Sequence, residues 1–256
     1  MTEAHRVESV MGTVVSFDVR GADLEAGGID AALGTAIAWL HEVDERFSPF
    51  LPDSEVSRLA EGTLADVDAH PDVRAVLAMC DELTVDSRGA FDARAWSPDR
   101  RLDPSGFVKG WSVQLAADRL VDAGLRSFVI NAGGDIVARG RPGALDAWRV
   151  GIRHPDHADK VAAVLSVTDR AVATSGAYER GDHIRDPRTG DAPSGLRSVT
   201  VVGPDLTWAD AYATTAFVMG LDGLGWVAGH QGYDACAITP DDRVVWTEGM
   251  DRYLAR

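Results

Sequence analysis

Positive charge is scarce in this chain. Its 256 residues hold 25 Lys and Arg against 40 Asp and Glu, a formal net charge of −15. No basic stripe is available to neutralise a phosphate backbone, which argues against nucleic acid as a partner. Solubility is the plain explanation of the acidity. A polyphosphate ligand, however, would need a local cation, a metal or a lysine, to offset the repulsion. Cysteine is scarcer still: Cys80 and Cys236 stand far apart with no metal-ligand spacing. Cys80 falls on an apolar helical face, so a reduced core thiol is the default and a Cys80–Cys236 disulfide the alternative. No apolar run approaches the length of a membrane-spanning helix. Residues Met1 to Val10 contain neither an apolar signal core nor a lipoprotein cysteine, and the expected location is cytoplasmic. Internal repeats, low-complexity tracts and linkers are also missing, which leaves one domain over residues 1–256 as the expectation.

What is present is an ordinary hydrophobic fraction, 45%, enough for one large core or two modest lobes. Residues 10–20 read as a strand, with Val14 to Val19 following Met11-Gly12-Thr13. Ile29, Leu33, Ile37, Leu40 and Val43 keep helical spacing up to about Arg46, where Pro49 and Pro52 end the helix. Asp53-Ser54-Glu55 offers an N-cap for a short helix, and Pro71 to about Asp86 forms a third, with Pro71 suited to its first turn. A fourth helix is expected after Lys109-Gly110. Strands at Phe128–Ile130 and Asp135–Ala138 flank the Asn131-Ala132-Gly133-Gly134 corner. Further strands fall at Trp148–Ile152 and Ser198–Val202, and a final helix spans about Trp208 to Met219. Strands and helices mix without a regular βαβ rhythm, which favours α+β over a doubly wound sheet.

Five segments bear on chemistry. His183 stands three residues ahead of Asp186-Pro187-Arg188-Thr189-Gly190, a complete turn signature that would hold one histidine in a fixed direction, as acid–base catalysis near neutral pH requires. The bland alternative is a surface hairpin with a histidine beside it. Asp103-Pro104-Ser105-Gly106-Phe107-Val108-Lys109-Gly110 reads as a small-residue loop feeding a helix N-terminus, an anion site with a lysine at its mouth. It lacks the glycine spacing of a Walker A loop. Asp210 and Thr214, four residues apart on one helical face, offer half of a hard-cation site. Otherwise Asp210 caps its helix and Thr214 bonds back to its own turn. Asn131 to Asp135 is followed by a strand, so a dinucleotide-binding reading fails. Thr174-Ser175-Gly176 reads as a small polar loop. Ser175 could be a nucleophile with His183 as its base, but no nucleophile elbow surrounds it.

Taken in order, these segments resemble one family, the ApbE-type FAD:protein FMN transferases. The resemblance runs from about Val10 to Gly220. It rests on Met11-Gly12-Thr13, Phe47-Ser48-Pro49-Phe50, Ser54 to Arg58, Gly89-Ala90-Phe91-Asp92, Asp103 to Gly110, Asn131 to Asp135, Thr174 to Gly176, His183 to Gly190, and Ala209-Asp210 with Thr214. It implies an α+β fold of two lobes of mixed sheet flanked by helices, with the ligand cleft between the lobes. It also implies an enzyme that cleaves the FAD pyrophosphate, attaches FMN by a phosphoester to a Thr or Ser of an acceptor protein, and releases AMP. By the same resemblance, Asp210, Thr214 and the Gly106 carbonyl would hold Mg2+. Met11, Phe50, Ala90, Phe91, Asp92, Asp103 and Lys109 would line the FAD site, and His183 would be the base.

The chain departs from the family pattern in places. Ala213 stands where some members carry a second metal aspartate, Phe50 where tyrosine is common, and Ser194 where an apolar residue often meets FAD; the connection from Tyr178 to His183 is short. An FAD pyrophosphatase, with water as acceptor, and a non-catalytic FAD-binding protein are the competing readings. A Ser175 hydrolase is a distant fourth.

Overall fold

The structure is a computed structural model and describes residues 2–22, 25–95, 102–155, 157, 160–176 and 184–255. Strands β1 (Thr2–Val10) and β2 (Thr13–Ala22) form a hairpin. Its two-residue turn has both Met11 and Gly12 at positive φ, 53° and 65°, a backbone twist that matches the right-handed twist of the flanking strands. Four helices follow: α1 (Ala26–Phe47), α2 (Glu55–Ala60), α3 (Pro71–Asp86) and α4 (Ser105–Asp122). Within Asp53-Ser54-Glu55 it is Ser54 that caps α2, its Oγ accepting from the Ser57 amide at 3.0 Å.

The remaining strands are β3 (Phe128–Ala132), β4 (Asp135–Arg139), β5 (Trp148–Arg153), β6 (Val161–Val167), β7 (Arg170–Gly176), β8 (Ser198–Gly203), β9 (Asp234–Ile238) and β10 (Val244–Trp246). Helices α5 (Leu206–Met219) and α6 (Asp222–Ala228) lie between β8 and β9. Eight strands form one sheet in the order β1-β2-β3-β4-β7-β8-β9-β10, and β5-β6 form a separate ribbon. The α+β class is the one that forms. Among the described residues every strand pairing is antiparallel, because hairpins and helical excursions, rather than βαβ crossovers, join neighbours.

The sheet is covered on both faces. Val137, Ala171, Ala173, Val201, Ala235 and Ala237 pack with the helices in the larger core. The alternate residues Ala138, Val172, Val202 and Cys236 pack under Val150, Ile152, Leu165 and Val167 of the ribbon. Burial on both sides explains why β8 and β9 are buried at every position and read as apolar runs rather than as alternation. It also explains why β9 escaped a reading of the sequence that weighted periodicity. The partly exposed β1 and the ribbon strand β6 escaped it as well, as did β7, β10 and α6. Cys80 and Cys236 are both buried and free, so the disulfide alternative does not form.

Two elements differ from expectation at positions that matter. Helix α4 starts at Ser105, not after Gly110, so Lys109 lies within the helix rather than at the mouth of a loop. Gly110 weakens a sequence-based helix assignment, yet here its missing side chain is what packing demands: a Cβ would fall 2.5 Å from the Leu206 carbonyl oxygen and 2.7 Å from Asp210 Cβ. Helices α4 and α5 therefore touch backbone to backbone at this point. Thr174-Ser175-Gly176 is the end of strand β7, not a loop.

Candidate active site

The close approach of α4 and α5 builds the site. The Gly110 N–H donates to Asp210 Oδ2 at 2.9 Å. In an α-helix that N–H points toward the carbonyl four residues back, here Gly106. The Asp210 carboxylate thus lies against the helical turn that begins at Gly106. The other oxygen, Oδ1, is 3.4 Å from Lys109 Nζ, and Lys109 makes a closer ion pair with Asp135 Oδ2. Lys109 is one of only two lysines in the chain. Asp135 begins β4, and its Oδ1 accepts from the Thr174 amide of β7 at 3.0 Å. One residue on, Ser175 Oγ and Thr214 Oγ1 are hydrogen-bonded at 3.0 Å.

This is a buried, electrically incomplete cluster. Asp135 is 1% exposed and Asp210 3%, and one ammonium serves both carboxylates. Burial pushes the Asp210 carboxyl well above the usual carboxylate range; Lys109 pulls it down, and the Asp135 charge pushes it up again. Neither bland reading of α5 holds. Asp205, not Asp210, caps the helix, accepting from the Thr207 amide. Thr214 bonds Ser175 across to the sheet, and it is Thr215 that bonds back to its own turn, at Ala211.

An oxygen-only donor set in which, among the described residues, two carboxylates face one ammonium suits a hard cation. No group of three or more His, Cys, Asp or Glu gathers for a metal among the described residues, so a closed, all-protein cage is not what these residues make. A cation that takes a few protein oxygens and completes its shell with water and phosphate fits Asp210, Thr214 and the Gly106 turn. Ala213 is fully buried in the main core.

The expected FAD-lining residues fall into two groups. The first surrounds the start of α4. The Asp103 backbone N–H donates to the Ala93 carbonyl and its carboxylate accepts from the Ser105 amide, which ties residues 90–93 to the helix start. Ala90 and Phe91 are buried there, and the Phe91 ring lies against Gly106. Asp92 is half-buried, with Oδ1 accepting from the Arg94 amide. Met11 joins them from the β1-β2 turn, its sulfur accepting from Ser112 Oγ of α4 and its N–H donating to Asp44. Phe50 stands apart: it is 90% exposed on the segment after α1.

His183 lies outside the described residues. The turn after it forms as read: the Thr189 and Gly190 amides donate to the Asp186 carbonyl, and Gly190 takes φ 82°. Ile184 packs against the main core. Ser194 is exposed. Asp135 and Ser175 were visible in the sequence as parts of motifs, but nothing local marked them as partners of Lys109 and Thr214. The remaining face of α5 is of another kind. Trp208 and Tyr212, about 200° around the helix from Asp210 and Thr214, line an open groove of about 620 Å3 with Asp81, Glu82, Asp86 and His230.

Comparison with known proteins bears on the family and the fold. The sequence profile of the ApbE family matches residues 11–97 and 94–237. A Treponema pallidum protein named FAD:protein FMN transferase is 37% identical over 169 residues, covering 59% of this chain and 47% of that protein. A Rhodobacter capsulatus protein of the same name is 36% identical over 157 residues, covering 58% and 30%. The matched region thus spans less than half the length of these curated relatives. Solved structures similar in fold include the flavin transferase ApbE from Vibrio cholerae, with a TM-score of 0.85 at 21% identity and 99% of each chain covered. The ApbE protein of Thermotoga maritima gives 0.86 at 20% identity, with each chain covered in full. With the profile matched across most of its length, this chain belongs to the ApbE family.

Proposed function

We propose that the chain is a Mg2+-dependent FAD:protein FMN transferase, a single domain over residues 1–256 acting in the cytoplasm on a Thr or Ser of an acceptor protein. The observation that carries this reading is the buried Lys109–Asp135–Asp210 cluster at the α4–α5 contact, in which, among the described residues, two buried carboxylates face one ammonium. A divalent cation supplies the positive charge that such a site lacks, and it completes its own shell with phosphate oxygens. The names of the curated relatives support the choice of FAD and of a protein acceptor.

In the proposed reaction the acceptor hydroxyl oxygen attacks the phosphorus on the FMN side of the pyrophosphate. The new P–O bond forms as the bond to AMP breaks, and the hydroxyl proton passes to His183. Lys109 binds a pyrophosphate oxygen. Asp210, Thr214 and the Gly106 carbonyl would hold the cation. Bound Mg2+ would neutralise charge on the phosphate oxygens and on the departing AMP. Met11, Ala90, Phe91, Asp92 and Asp103 line the FAD pocket around the start of α4, and Phe50 offers an exposed ring for one of its aromatic systems.

The test is incubation of the purified protein with FAD and Mg2+, with and without a threonine-bearing acceptor peptide, beside a His183→Ala control. The expected outcome is an FMN adduct on the peptide by intact mass, AMP by chromatography, and about 100-fold or more loss in the control. Free FMN and AMP with no adduct would favour the pyrophosphatase, and intact bound FAD the carrier. Cell fractionation checks the location.

A further inference from the structure

A helical threonine has a default partner, the carbonyl four residues back on its own helix. Thr35, Thr84 and Thr215 all take it, donating to the Ala31, Cys80 and Ala211 carbonyls at 3.1, 2.8 and 2.7 Å. Thr214 does not. Its Oγ1 lies 3.0 Å from Ser175 Oγ, across from α5 to the sheet, and neither hydroxyl has another hydrogen-bond partner among the described residues. The sheet fixes Ser175, which is 6% exposed near the end of β7, where it pairs with Val199 of β8. From this geometry we infer that Ser175 is a positioning residue: it accepts the Thr214 hydroxyl proton and holds that oxygen off the Asp210 carbonyl, leaving a lone pair for a cation.

The chemistry of a neutral hydroxyl calls for such a partner. A hydroxyl that ligates a cation gives a lone pair to the metal and sends its proton to an acceptor. A back-bonded threonine would send it to the Asp210 carbonyl, which draws the oxygen in against its own helix. Ser175 supplies an acceptor on the sheet instead, the part that hydrogen-bond partners of metal ligands generally play. Without the Ser175 hydroxyl, Thr214 falls back on the helical default, and Asp210 is left as the one side-chain ligand of the assigned set. Ser175 thus acts through Thr214 and forms no bond to substrate, unlike the nucleophile that its sequence motif suggested.

The inference rests on the proposed reading that a divalent cation binds at Asp210 and Thr214, and the experiment separates the two. Mn2+ affinity is measured without FAD by electron paramagnetic resonance, for the full chain and for Ser175→Ala, Thr214→Val and the double variant. Asp210→Asn is the control that places the ion. The expected result is Mn2+ binding weakened about tenfold in Ser175→Ala. In the Thr214→Val background, Ser175→Ala should weaken it no further, a non-additivity that a merely structural role would not produce. Ser175→Thr, which keeps a hydroxyl, is expected to retain most of the affinity. Should Thr214→Val fail to fold, Thr214→Ala takes its place with the same expectation. Mn2+ affinity in Ser175→Ala equal to that of the parent, or additive losses in the double variant, would overturn the inference and leave the cation reading standing. A parent protein that binds no Mn2+, or binds it as well after Asp210→Asn, would overturn both.

Discussion

Two acid–base clusters of this chain, built from similar groups, behave in opposite ways. At the turn after His183, Arg188 grips Asp186 from two residues away, with Nε on Oδ1 at 2.8 Å and Nη2 on Oδ2 at 2.7 Å. The fork is local and open to water, and Arg188 holds the Asp186 carboxyl below its usual range. In the α4–α5 cluster the three groups come from α4, β4 and α5 and are largely shut off from solvent. There burial outweighs the lysine, and the Asp210 carboxyl is pushed up instead. An ion pair is thus not a fixed quantity. Where water completes the solvation it stabilises a turn modestly; where water is excluded an uneven charge count creates affinity for a ligand.

The largest effect expected on this contrast comes from Asp210→Asn. Transfer should fall by about 1,000-fold or more, as when a metal ligand or charge stabiliser is removed from a reacting centre. The metal-free protein should at the same time melt no lower than the parent, because a costly buried charge has gone. A melting temperature that fell along with activity would make Asp210 a structural residue.

Gly110→Ala comes next. The new methyl meets the Leu206 carbonyl and Asp210 itself, so urea unfolding should show a loss of about 2–3 kcal/mol. An unchanged midpoint would mean that the helices can part without cost.

The pH dependence sharpens the comparison further. A carboxyl whose pKa is raised on folding contributes stability that is full below the unfolded pKa and lost as pH rises through the folded one. The metal-free protein should therefore lose stability from Asp210 as pH climbs from the ordinary carboxylate range toward neutrality, by at most about 1.4 kcal/mol per pH unit. Asp210→Asn, or saturating Mg2+, should flatten that slope in thermal melts. Asp186 has the opposite sign. Its lowered pKa gives stability that is present above the ordinary carboxylate range and lost on acidification, and Asp186→Asn should cost under about 1 kcal/mol at neutral pH, less at high salt.

The smallest effect concerns the cysteines. Burial pushes both thiols up to about 12, so a thiol reagent at pH 8 should modify Cys80 and Cys236 only slowly until the protein is unfolded. Rapid modification of the folded protein would contradict the burial of both.

Much of this was readable from the chain because it is local. Helix α3 begins at Pro71 and ends at Asp86 as its spacing indicated, and the Asp186–Gly190 turn follows from residues adjacent in sequence. The Asp210–Thr214 pair was found because four residues along a helix share a face. What was missed depended on distant neighbours. The start of α4 was hidden by Gly106 and Gly110, which propensity reads as loop and packing against α5 turns into helix. Strand β9 lost its alternation to burial on both faces.

The order of motifs, the α+β class and the kinship with one family were thus set down in the sequence by itself. Only the tertiary structure decided that Lys109 belongs to Asp135 and that Ser175 is a partner of Thr214. The reason is that burial depends on what lies across the sheet, and burial gives a charge its price. Asp135 reads as an ordinary turn-end acid along the chain, and it becomes part of a buried charge cluster only when α4, α5, β4 and β7 meet.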